Sequence, residues 1–410
     1  MSNTVFNEGY YNNQKFFFTK GLNDNIFTKK KKFIDLSFCS GANLLGHNTY
    51  IEKKIFRKYS KSNISNFSSP NIYADQLSKV ILKILPFFSK VIFCNSGSEA
   101  NIKALRICRA ITKKDKVISV TGSWHGSVDE FLFQTSNKLK KKSLSDGLTA
   151  ETQKNTIYIP YNNIDYSKKI LDQNKNSISC IFIEPIQGCL PNNNQKKYLK
   201  FLEKYCKDNN IFLVFDEMIT GVRTNLESAQ KFFGIKTDIS TFGKAFGNGV
   251  PIGFIAITDK IENLIKNKKL KIYFGGTFSG NSLTSFLAKE YLLYLIKNKK
   301  KIFSYLEKVS SLFQEEINNY CVKYNISARV YRFCSMLRLV YSTKKVNNRF
   351  IRDFLENFKR KEIINFKKYI LKKNIYYPAN GIIFFSYSSS IKNVNYIIKT
   401  FKLGLKKYFI

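Results

Sequence analysis

The middle of the chain alternates between short apolar runs and amphipathic stretches. Residues 177–184 (SISCIFIE) and 211–216 (IFLVFD) are almost wholly apolar, which is typical of strands covered on both faces of a sheet. In 99–112, apolar residues recur at 102, 105 and 108–111, so this segment is predicted to be an amphipathic helix. The pattern as a whole predicts strands at 91–94, 116–120, 177–184, 211–216, 239–242 and 252–257 and helices that include 99–112 and 197–209. Strands that alternate with helices in this way favour an α/β fold, with a mostly parallel sheet covered by helices.

The two flanks differ from this middle region. Residues 1–55 are polar, and the C-terminal part is rich in Lys, with short aromatic-rich stretches. We expect residues 1–55 and 300–410 to build one smaller domain together, beside a large domain at 56–299. The polar, basic stretch 136–155 indicates a mobile surface loop, with a lid over a site as the less favoured interpretation.

The charge balance is strongly basic. The 410 residues include 68 Lys and Arg against 29 Asp and Glu, for a formal net charge of +39. Only ten of the 68 are Arg, the residue that best contacts phosphate and guanine in a bidentate manner. The excess therefore indicates a solvated, Lys-covered surface, and a basic nucleic-acid-binding protein is the weakest of the functional alternatives.

Other features narrow the class of protein. No uninterrupted apolar run approaches the ~20 residues of a membrane helix, and residues 1–14 lack the basic-then-apolar pattern of a secretory signal. The eight Cys show no C-x-x-C spacing and only two His accompany them, so we expect reduced thiols and no metal site. These features predict a cytoplasmic protein without membrane association.

Polar residues follow several predicted strands, at the sheet edge where α/β folds bind ligands. Residues 95–101 (NSGSEAN) place Gly and hydroxyl groups at the start of a helix, which suits a phosphate as well as an ordinary helix cap. Trp124, the only Trp, and His125 follow the strand 116–120. Trp124 could form a flat wall for a ring-shaped ligand, with His125 as a hydrogen-bonded orienting group, or Trp124 could simply pack against its neighbours; both interpretations stay open. Asp216 ends a very apolar strand, so it either meets a positive partner or caps the segment that follows.

Lys244 differs from most lysines of this chain, which occur in runs, because it stands alone in the segment GKAFGNG. A Lys held in an apolar site has a lowered pKa and is nucleophilic. A phosphate cradle, an aromatic wall, a buried carboxylate and an isolated Lys are together what pyridoxal 5′-phosphate requires, with a Schiff base to the Lys and a carboxylate at the pyridinium nitrogen. We therefore expect an enzyme that uses this cofactor.

The sequence resembles the class III aminotransferases of fold type I, and within them the glutamate-1-semialdehyde 2,1-aminomutases and their relatives. The stretches that carry the resemblance are SGANLLGH (40–47), FCNSGSEANIKALRICRAIT (93–112), GSWHGSVDE (122–130), IFIEPIQG (181–188), VFDEMITGVR (214–223), TFGKAFGNGVPIG (241–253) and GGTFSGNS (275–282). The resemblance implies the fold type I arrangement, in which a large domain binds the cofactor and a smaller α+β domain is formed from both termini.

The resemblance also implies a role for each matching residue. Lys244 and Asp216 would be catalytic, Lys244 by holding the cofactor and moving protons and Asp216 by pairing with the ring nitrogen. Further cofactor contacts are implied for the other candidates, Gly97, Ser98, Trp124, His125, Glu184, Gln187, Met218 and Thr277. Thr277 would reach the phosphate of a neighbouring subunit, which implies a homodimer with shared active sites.

The implied activity is transfer of an amino group from an amine or amino acid donor to a carbonyl acceptor, through the Schiff base at Lys244. The alternative is the intramolecular transfer of glutamate-1-semialdehyde 2,1-aminomutase, a step of tetrapyrrole synthesis. Residues 1–30 contain no Arg where the aminomutases have one for the substrate carboxylate, and Cys39-Ser40-Gly41 replaces their Trp-Gly pair. These differences favour an aminotransferase, and an enzyme that transfers the amino group to a sugar is one of the alternatives. Arg338 is still available to bind an acidic group of a substrate.

Overall fold

The computed structural model describes residues 17–67, 70–135 and 140–410. Its strands, in chain order, are β1 (Lys20–Leu22), β2 (Asn25–Phe27), β3 (Lys32–Asp35), β4 (Lys90–Cys94), β5 (Lys116–Val120), β6 (Phe133–Thr135), β7 (Lys141–Ser143), β8 (Thr156–Ile159), β9 (Ile178–Ile183), β10 (Phe212–Asp216), β11 (Ile239–Gly243), β12 (Gly253–Ile257), β13 (Arg329–Phe333), β14 (Met336–Val340), β15 (Ile375–Tyr376) and β16 (Ile382–Phe384). Its helices are α1 (Phe38–Gly41), α2 (Tyr50–Ser60), α3 (Ile72–Ile84), α4 (Gly97–Thr112), α5 (Ala150–Asn155), α6 (Ile164–Asn174), α7 (Lys196–Asp208), α8 (Ala229–Phe233), α9 (Asp259–Asn267), α10 (Ser282–Lys297), α11 (Lys299–Lys323), α12 (Arg349–Asn357), α13 (Arg360–Lys372) and α14 (Ile391–Phe409). Two short 3₁₀ helices lie at Asp129–Phe131 and Lys244–Phe246.

Seven strands form the central sheet, in the order β4-β12-β11-β10-β9-β5-β8. Neighbours run parallel except around β12, which is antiparallel to both β11 and β4. Alternate side chains of β10 enter two different cores: Leu213 and Phe215 pack with α7 on one face, and Phe212 and Val214 pack with α4 on the other. The sheet is therefore covered by helices on both faces, and the predicted α/β class is confirmed.

Segments from both ends of the chain build the smaller α+β region. One sheet has the order β1-β2-β3-β15, in which β3 from the N-terminal part runs parallel to β15 from the C-terminal part. A second sheet, β13-β14-β16, packs with α11, α13 and α14 in a separate core. The predicted contribution of both termini is thus present, while the boundaries at residues 55 and 300 stay predictions.

The prediction of a mobile loop at 136–155 is wrong for much of that stretch. Strand β7 pairs with β6 in an antiparallel hairpin, and α5 begins after Thr149, whose side chain accepts a hydrogen bond from the amide of Thr152. The apolar pattern did not reveal β7 and α5 because both lie near the surface, where a strand or a helix can consist mostly of polar residues. Residues 136–139 of the predicted loop lie outside the described residues.

Lysines on the surface account for part of the charge pattern. Several form ion pairs along their own helix, such as Lys79 with Asp75 at 2.6 Å and Lys168 with Asp172 at 2.6 Å.

Among the helices described here, none is both long and apolar enough to cross a membrane. The described residues also contain no group of three or more His, Cys, Asp or Glu arranged to hold a metal ion.

Candidate active site

Strand pairing brings the candidate residues to one edge of the central sheet. β10 ends at Asp216, and β11 ends at Gly243, directly before Lys244. Gly243 pairs with Gly253 of β12, and Gly253 pairs with Cys94, the last residue of β4. The turn into α4, the carboxylate and the isolated lysine therefore share the edge where parallel α/β sheets bind ligands.

Asp216 is 3% exposed, and its carboxylate accepts three hydrogen bonds. His125 Nδ1 and Asn101 Nδ2 lie 2.8 Å and 3.0 Å from Oδ2, and the amide of Met218 lies 3.0 Å from Oδ1. Burial alone raises the pKa of Asp216, but His125, the Met218 amide and the charge of Lys244 outweigh burial, so the pKa lies below its usual value. The group is an anion at neutral pH, and a carboxylate has room for one further donor.

Asn101 and Thr241 support this carboxylate and were not predicted from the sequence. Thr241 Oγ1 donates to Asn101 Oδ1 at 2.7 Å, and Asn101 Nδ2 also donates to the backbone carbonyl of His125 at 2.9 Å. The amide is thereby fixed with its donor group towards Asp216. Asn101 lies inside α4, where only its burial, at 1% exposure, marks it as unusual.

Lys244 begins a 3₁₀ turn with a φ of 46°, a conformation that residues other than Gly rarely adopt. Its side chain is partly buried. Burial lowers the pKa of the Lys244 ammonium, although the carboxylates of Asp216 and Glu184 act in the opposite direction. A strained backbone and a more easily deprotonated amine are both typical of a lysine that acts as a nucleophile or base.

Glu184 and Gln187 hold the segment that follows β5. Glu184 accepts the amide of Trp124 at 2.7 Å and the amide of Gly188 at 3.1 Å. Gln187 Nε2 donates to the carbonyl of Thr121 at 2.8 Å. Burial raises the pKa of Glu184, so this carboxyl group takes up a proton more readily than usual. Both side chains therefore fix the segment that carries Trp124 and His125.

Glycines allow Met218 and Ser98 to approach the backbone closely around the start of α4. A Cβ atom on Gly97 would lie 2.7 Å from Met218 Sδ, and one on Gly243 would lie 2.9 Å from the same sulfur. A Cβ on Gly126 would collide with the hydroxyl of Ser98, which accepts the amide of Ser127 at 3.0 Å. The helix start at Gly97 supplies free backbone N–H groups, so these residues fit the phosphate and ring of pyridoxal 5′-phosphate.

Trp124 and Thr277 are exposed. The Trp124 side chain is 57% exposed, while its backbone amide is fixed by Glu184, so Trp124 is tied to the site through its backbone. Thr277 lies on the exposed segment 275–278, and it forms no hydrogen bond with any other candidate within the described part of the chain. The structure therefore groups Gly97, Ser98, His125, Glu184, Gln187, Asp216, Met218 and Lys244 but not Thr277.

A turn from the N-terminal segment also borders Lys244. The turn Phe38–Gly41 (α1) is left-handed, because φ is 45°, 54°, 53° and 84° at its four residues. Asp35 anchors it by accepting the amide of Phe38 at 2.9 Å and by pairing with His47 at 2.8 Å. No sequence pattern predicted this conformation, which three non-glycine residues adopt at a cost of ~1–3 kcal/mol each.

Contacts after the turn place it beside the Lys244 loop. The amide of Leu45 donates to Asn248 Oδ1 at 2.9 Å, four residues beyond Lys244. Burial raises the pKa of the Cys39 thiol and the charge of Lys244 lowers it, which is consistent with the proximity of these two side chains. Cys39 is exposed, so it faces open space next to the lysine.

Arg223 joins this turn to the C-terminal part of the chain. The side chain is buried and donates to Gly41 O and, at 2.8 Å, to Ser335 Oγ. Its guanidinium also lies 4.6 Å from the ring centre of Phe384, and no carboxylate among the described residues pairs with it. Burial lowers the pKa of Arg223 to about 10. One cation therefore ties three segments together beside the site, a role that the sequence did not reveal.

Arg338, the candidate for an acidic substrate group, is already occupied. Its guanidinium donates to Asn380 O and lies 3.5 Å from Glu356 Oε2. It is 8% exposed, and burial lowers its pKa. These contacts assign Arg338 to the packing of the smaller domain, and binding a substrate would require them to break.

The sequence matches the family model described as Aminotransferase class-III over residues 10–366. Among curated proteins, a glutamate-1-semialdehyde 2,1-aminomutase of Methanococcus maripaludis (strain C6) is 34% identical over 340 residues, which cover 80% of this chain and 77% of that protein. The protein of the same description from Nitrosopumilus maritimus is 32% identical over 95% of this chain and 92% of its own length.

Solved structures show the same fold. An omega-transaminase from Sphaerobacter thermophilus superimposes with a TM-score of 0.89 at 18% identity, covering 97% of this chain and 92% of that chain. A glutamate-1-semialdehyde aminomutase from Pseudomonas aeruginosa PAO1 superimposes with a TM-score of 0.85 at 14% identity, covering 98% and 90%.

Proposed function

Because the chain belongs to the class III aminotransferases, a family of enzymes that use pyridoxal 5′-phosphate, we propose that it moves an amino group between an amine or amino acid donor and a carbonyl acceptor, with the cofactor held on Lys244 as a Schiff base. The observation that carries the proposal is the buried anion at Asp216, which shares one sheet edge with Lys244 and the glycine cradle at Gly97. When bound, the cofactor supplies a ring that withdraws electrons from the substrate carbon.

The side chains of this site divide the remaining work. Asp216 would pair with the ring nitrogen and favour its protonated form, and His125 and Asn101 keep the carboxylate oriented and ionised. The Nζ of Lys244 would take up a proton from the substrate carbon and hold it for return during the transfer, and its lowered pKa makes the neutral amine accessible. Trp124 would cover one side of the bound ring and limit access of water.

The active form that we propose is a homodimer. Thr277 lies on an exposed segment, beside Phe278 at 58% exposure, and this exposure supports the proposal that it contacts a second subunit and binds the phosphate there. A cytoplasmic location agrees with the eight cysteines, all of which are free thiols.

The second candidate is the aminomutase reaction, which is favoured because the similar proteins of Methanococcus maripaludis and Nitrosopumilus maritimus are described as glutamate-1-semialdehyde 2,1-aminomutases. Both reactions use the same residues, and they differ in whether a separate acceptor takes up the amino group. We expect net transfer from an amine donor to require an added carbonyl acceptor. Conversion of glutamate 1-semialdehyde without any acceptor would instead identify the aminomutase.

The test of cofactor chemistry is a spectral titration of the purified protein with pyridoxal 5′-phosphate. We expect a visible absorbance band from a protonated imine, and its loss in Lys244→Ala, with a fall in the amino-transfer rate of about 10²–10⁴-fold. Lys266→Ala, on exposed helix α9, is the matched control and should keep the band. A wild-type protein without such a band would contradict the proposed function.

A further inference from the structure

Lys103 on α4 is the only lysine among the described residues that is fully buried, at 6% exposure. Its Nζ donates to the carbonyl of Phe274 at 2.9 Å. The one carboxylate oxygen within 4.0 Å in the described part of the chain, on Glu99, is 3.9 Å away. A buried ammonium is destabilising unless it is well paired, so the hydrogen bond to the Phe274 carbonyl offsets part of the desolvation cost of the Lys103 ammonium.

Arg106, one turn further along α4, makes a second contact of the same kind. Its Nη1 donates to the carbonyl of Tyr273 at 2.7 Å, so two cations hold two successive carbonyl groups. Asn71 Nδ2 donates to the carbonyl of Gly280 at 2.9 Å and fixes the far end. We call residues 273–278, between these anchors, the presenting loop.

Tyr273, Thr277 and Phe278 of the presenting loop are exposed, whereas Phe274 packs against the core that contains α4. Tyr273 is 77% exposed and Phe278 is 58% exposed, and Thr277 between them is exposed as well. Ile72, next to the Asn71 anchor, is 57% exposed, so the loop lies in an apolar part of the surface. A backbone fixed from inside, with aromatic side chains left towards solvent, is suited to contact a second protein surface.

We propose that Lys103, assisted by Arg106, positions the presenting loop for the active site of a second copy of this chain, an inference that rests on the homodimer proposed above. Helix α4 begins at Gly97, where the chain's own phosphate site is proposed. The same helix therefore serves two sites, through its N-terminus for its own chain and through Lys103 for the partner. Lys103 is a positioning residue that acts across the subunit boundary.

A mixed dimer tests this directly. Chains carrying Lys103→Met and Lys244→Ala are co-expressed with different tags and purified as the heterodimer. Its one intact Lys244 lies on the Lys103→Met chain, and the presenting loop at that site comes from the other chain, which keeps Lys103. We expect the Lys103→Met homodimer to lose about 10-fold in kcat/KM, and the heterodimer to recover full turnover at its one intact site. A heterodimer site as slow as the Lys103→Met homodimer would place the effect within one chain and overturn the proposal.

Two measurements that do not depend on turnover complete the test. In the cofactor-free dimer, amide hydrogen exchange at 273–278 should be faster in Lys103→Met than in wild type, and the affinity for pyridoxal 5′-phosphate should fall. Lys103→Arg, which keeps a donor, should restore both, and Lys79→Met, at an exposed lysine on α3, should change neither. Arg106→Met supplies the same comparison should the Lys103 variant fail to fold.

The outcomes separate this inference from the proposed function. Unchanged loop exchange and unchanged cofactor affinity in both the Lys103 and Arg106 variants would overturn the inference alone. A wild-type chain that is monomeric, or that binds no pyridoxal 5′-phosphate, would overturn the proposed function before any variant is examined, and the inference with it.

Discussion

The Asp216 pocket and the N-terminal turn Phe38–Gly41 both border Lys244, and they are stabilised in different ways. In the pocket, donors from α4 and from the segments that follow β5 and β10 supply the hydrogen bonds that fix one anion. In the turn, the backbone itself is strained, and Asp35 and Arg223 hold it from outside. The pocket therefore depends on the identity of a few side chains, whereas the turn depends on its anchors.

This difference affects how far each region tolerates substitution of its side chains. A buried carboxylate has to lie close to the ring nitrogen and has to stay ionised, because its electrostatic interaction with that nitrogen becomes much weaker when water solvates the carboxylate. A turn held by outside anchors can change its side chains, as Cys39 beside Lys244 illustrates. The turn is therefore the more tolerant of the two regions.

The largest effect is expected at the floor of the pocket. Asp216→Asn keeps the shape and removes the charge, so kcat should fall by about 10²–10³-fold, the usual loss when a preorganised electrostatic contact is removed. The folded structure should persist, and the absorbance of bound cofactor should shift as the ring nitrogen loses its proton. Asp208→Asn, at an exposed position on α7, is the control. An Asp216→Asn enzyme with wild-type kcat would show that the pocket does not depend on the charge of this side chain.

The neighbouring carboxylate, Glu217, offers a test by stability. It is wholly buried, and burial raises its pKa to about 7, although the amide of Ala229 and the hydroxyl of Thr220 act against the rise. The carboxyl group of Glu217 therefore keeps its proton in the folded protein up to about pH 7, whereas in the unfolded chain it releases the proton near pH 4.5. The free energy of unfolding should therefore decrease by about 3 kcal/mol as the pH rises from 4.5 to 7. Denaturant unfolding at a series of pH values measures this loss.

Glu217→Gln cannot ionise, so its stability should lose this part of the pH dependence. Glu315→Gln, at an exposed position on α11, should retain it. Equal pH profiles for wild type and Glu217→Gln would show that the pocket tolerates a second buried anion beside Asp216.

A smaller effect is expected at the turn. Arg223→Met removes the donor to Gly41 O and Ser335 and keeps apolar contact with Phe384, so the turn should shift and kcat/KM should fall by about 10-fold. The pH at which Lys244 loses its proton should rise, because burial and the nearby Arg223 cation both lower the pKa of Lys244. Arg223→Lys should retain part of both properties. A loss of thermal stability without any change in the pH profile would limit Arg223 to a structural role.

The pocket was more predictable from the sequence than the turn, for physical reasons. A carboxylate at the end of an apolar strand and a lone Lys among glycines are local signals, and both lie where they were predicted to lie, at one sheet edge. Their supports are not local: Asn101 and Asp216 are 115 positions apart, and no pattern along the chain links them.

The turn was unpredictable because Phe38, Cys39 and Ser40 have no preference for positive φ, and only their tertiary anchors impose it. The hairpin of β6 and β7 was missed because its solvent-facing strand is polar. The role of Lys103 was concealed by the many other lysines, since only burial distinguishes it.

The parallel pairing of β3 with β15 sets an order of events during synthesis. Strand β3 ends three residues before the left-handed turn begins, and its partner lies at Ile375–Tyr376. During translation, the strands of the central sheet are complete well before that partner has left the ribosome. A nascent chain can therefore assemble its cofactor-binding core first and gain the segment beside Lys244 in its final place only after Ile375 and Tyr376 have been synthesised.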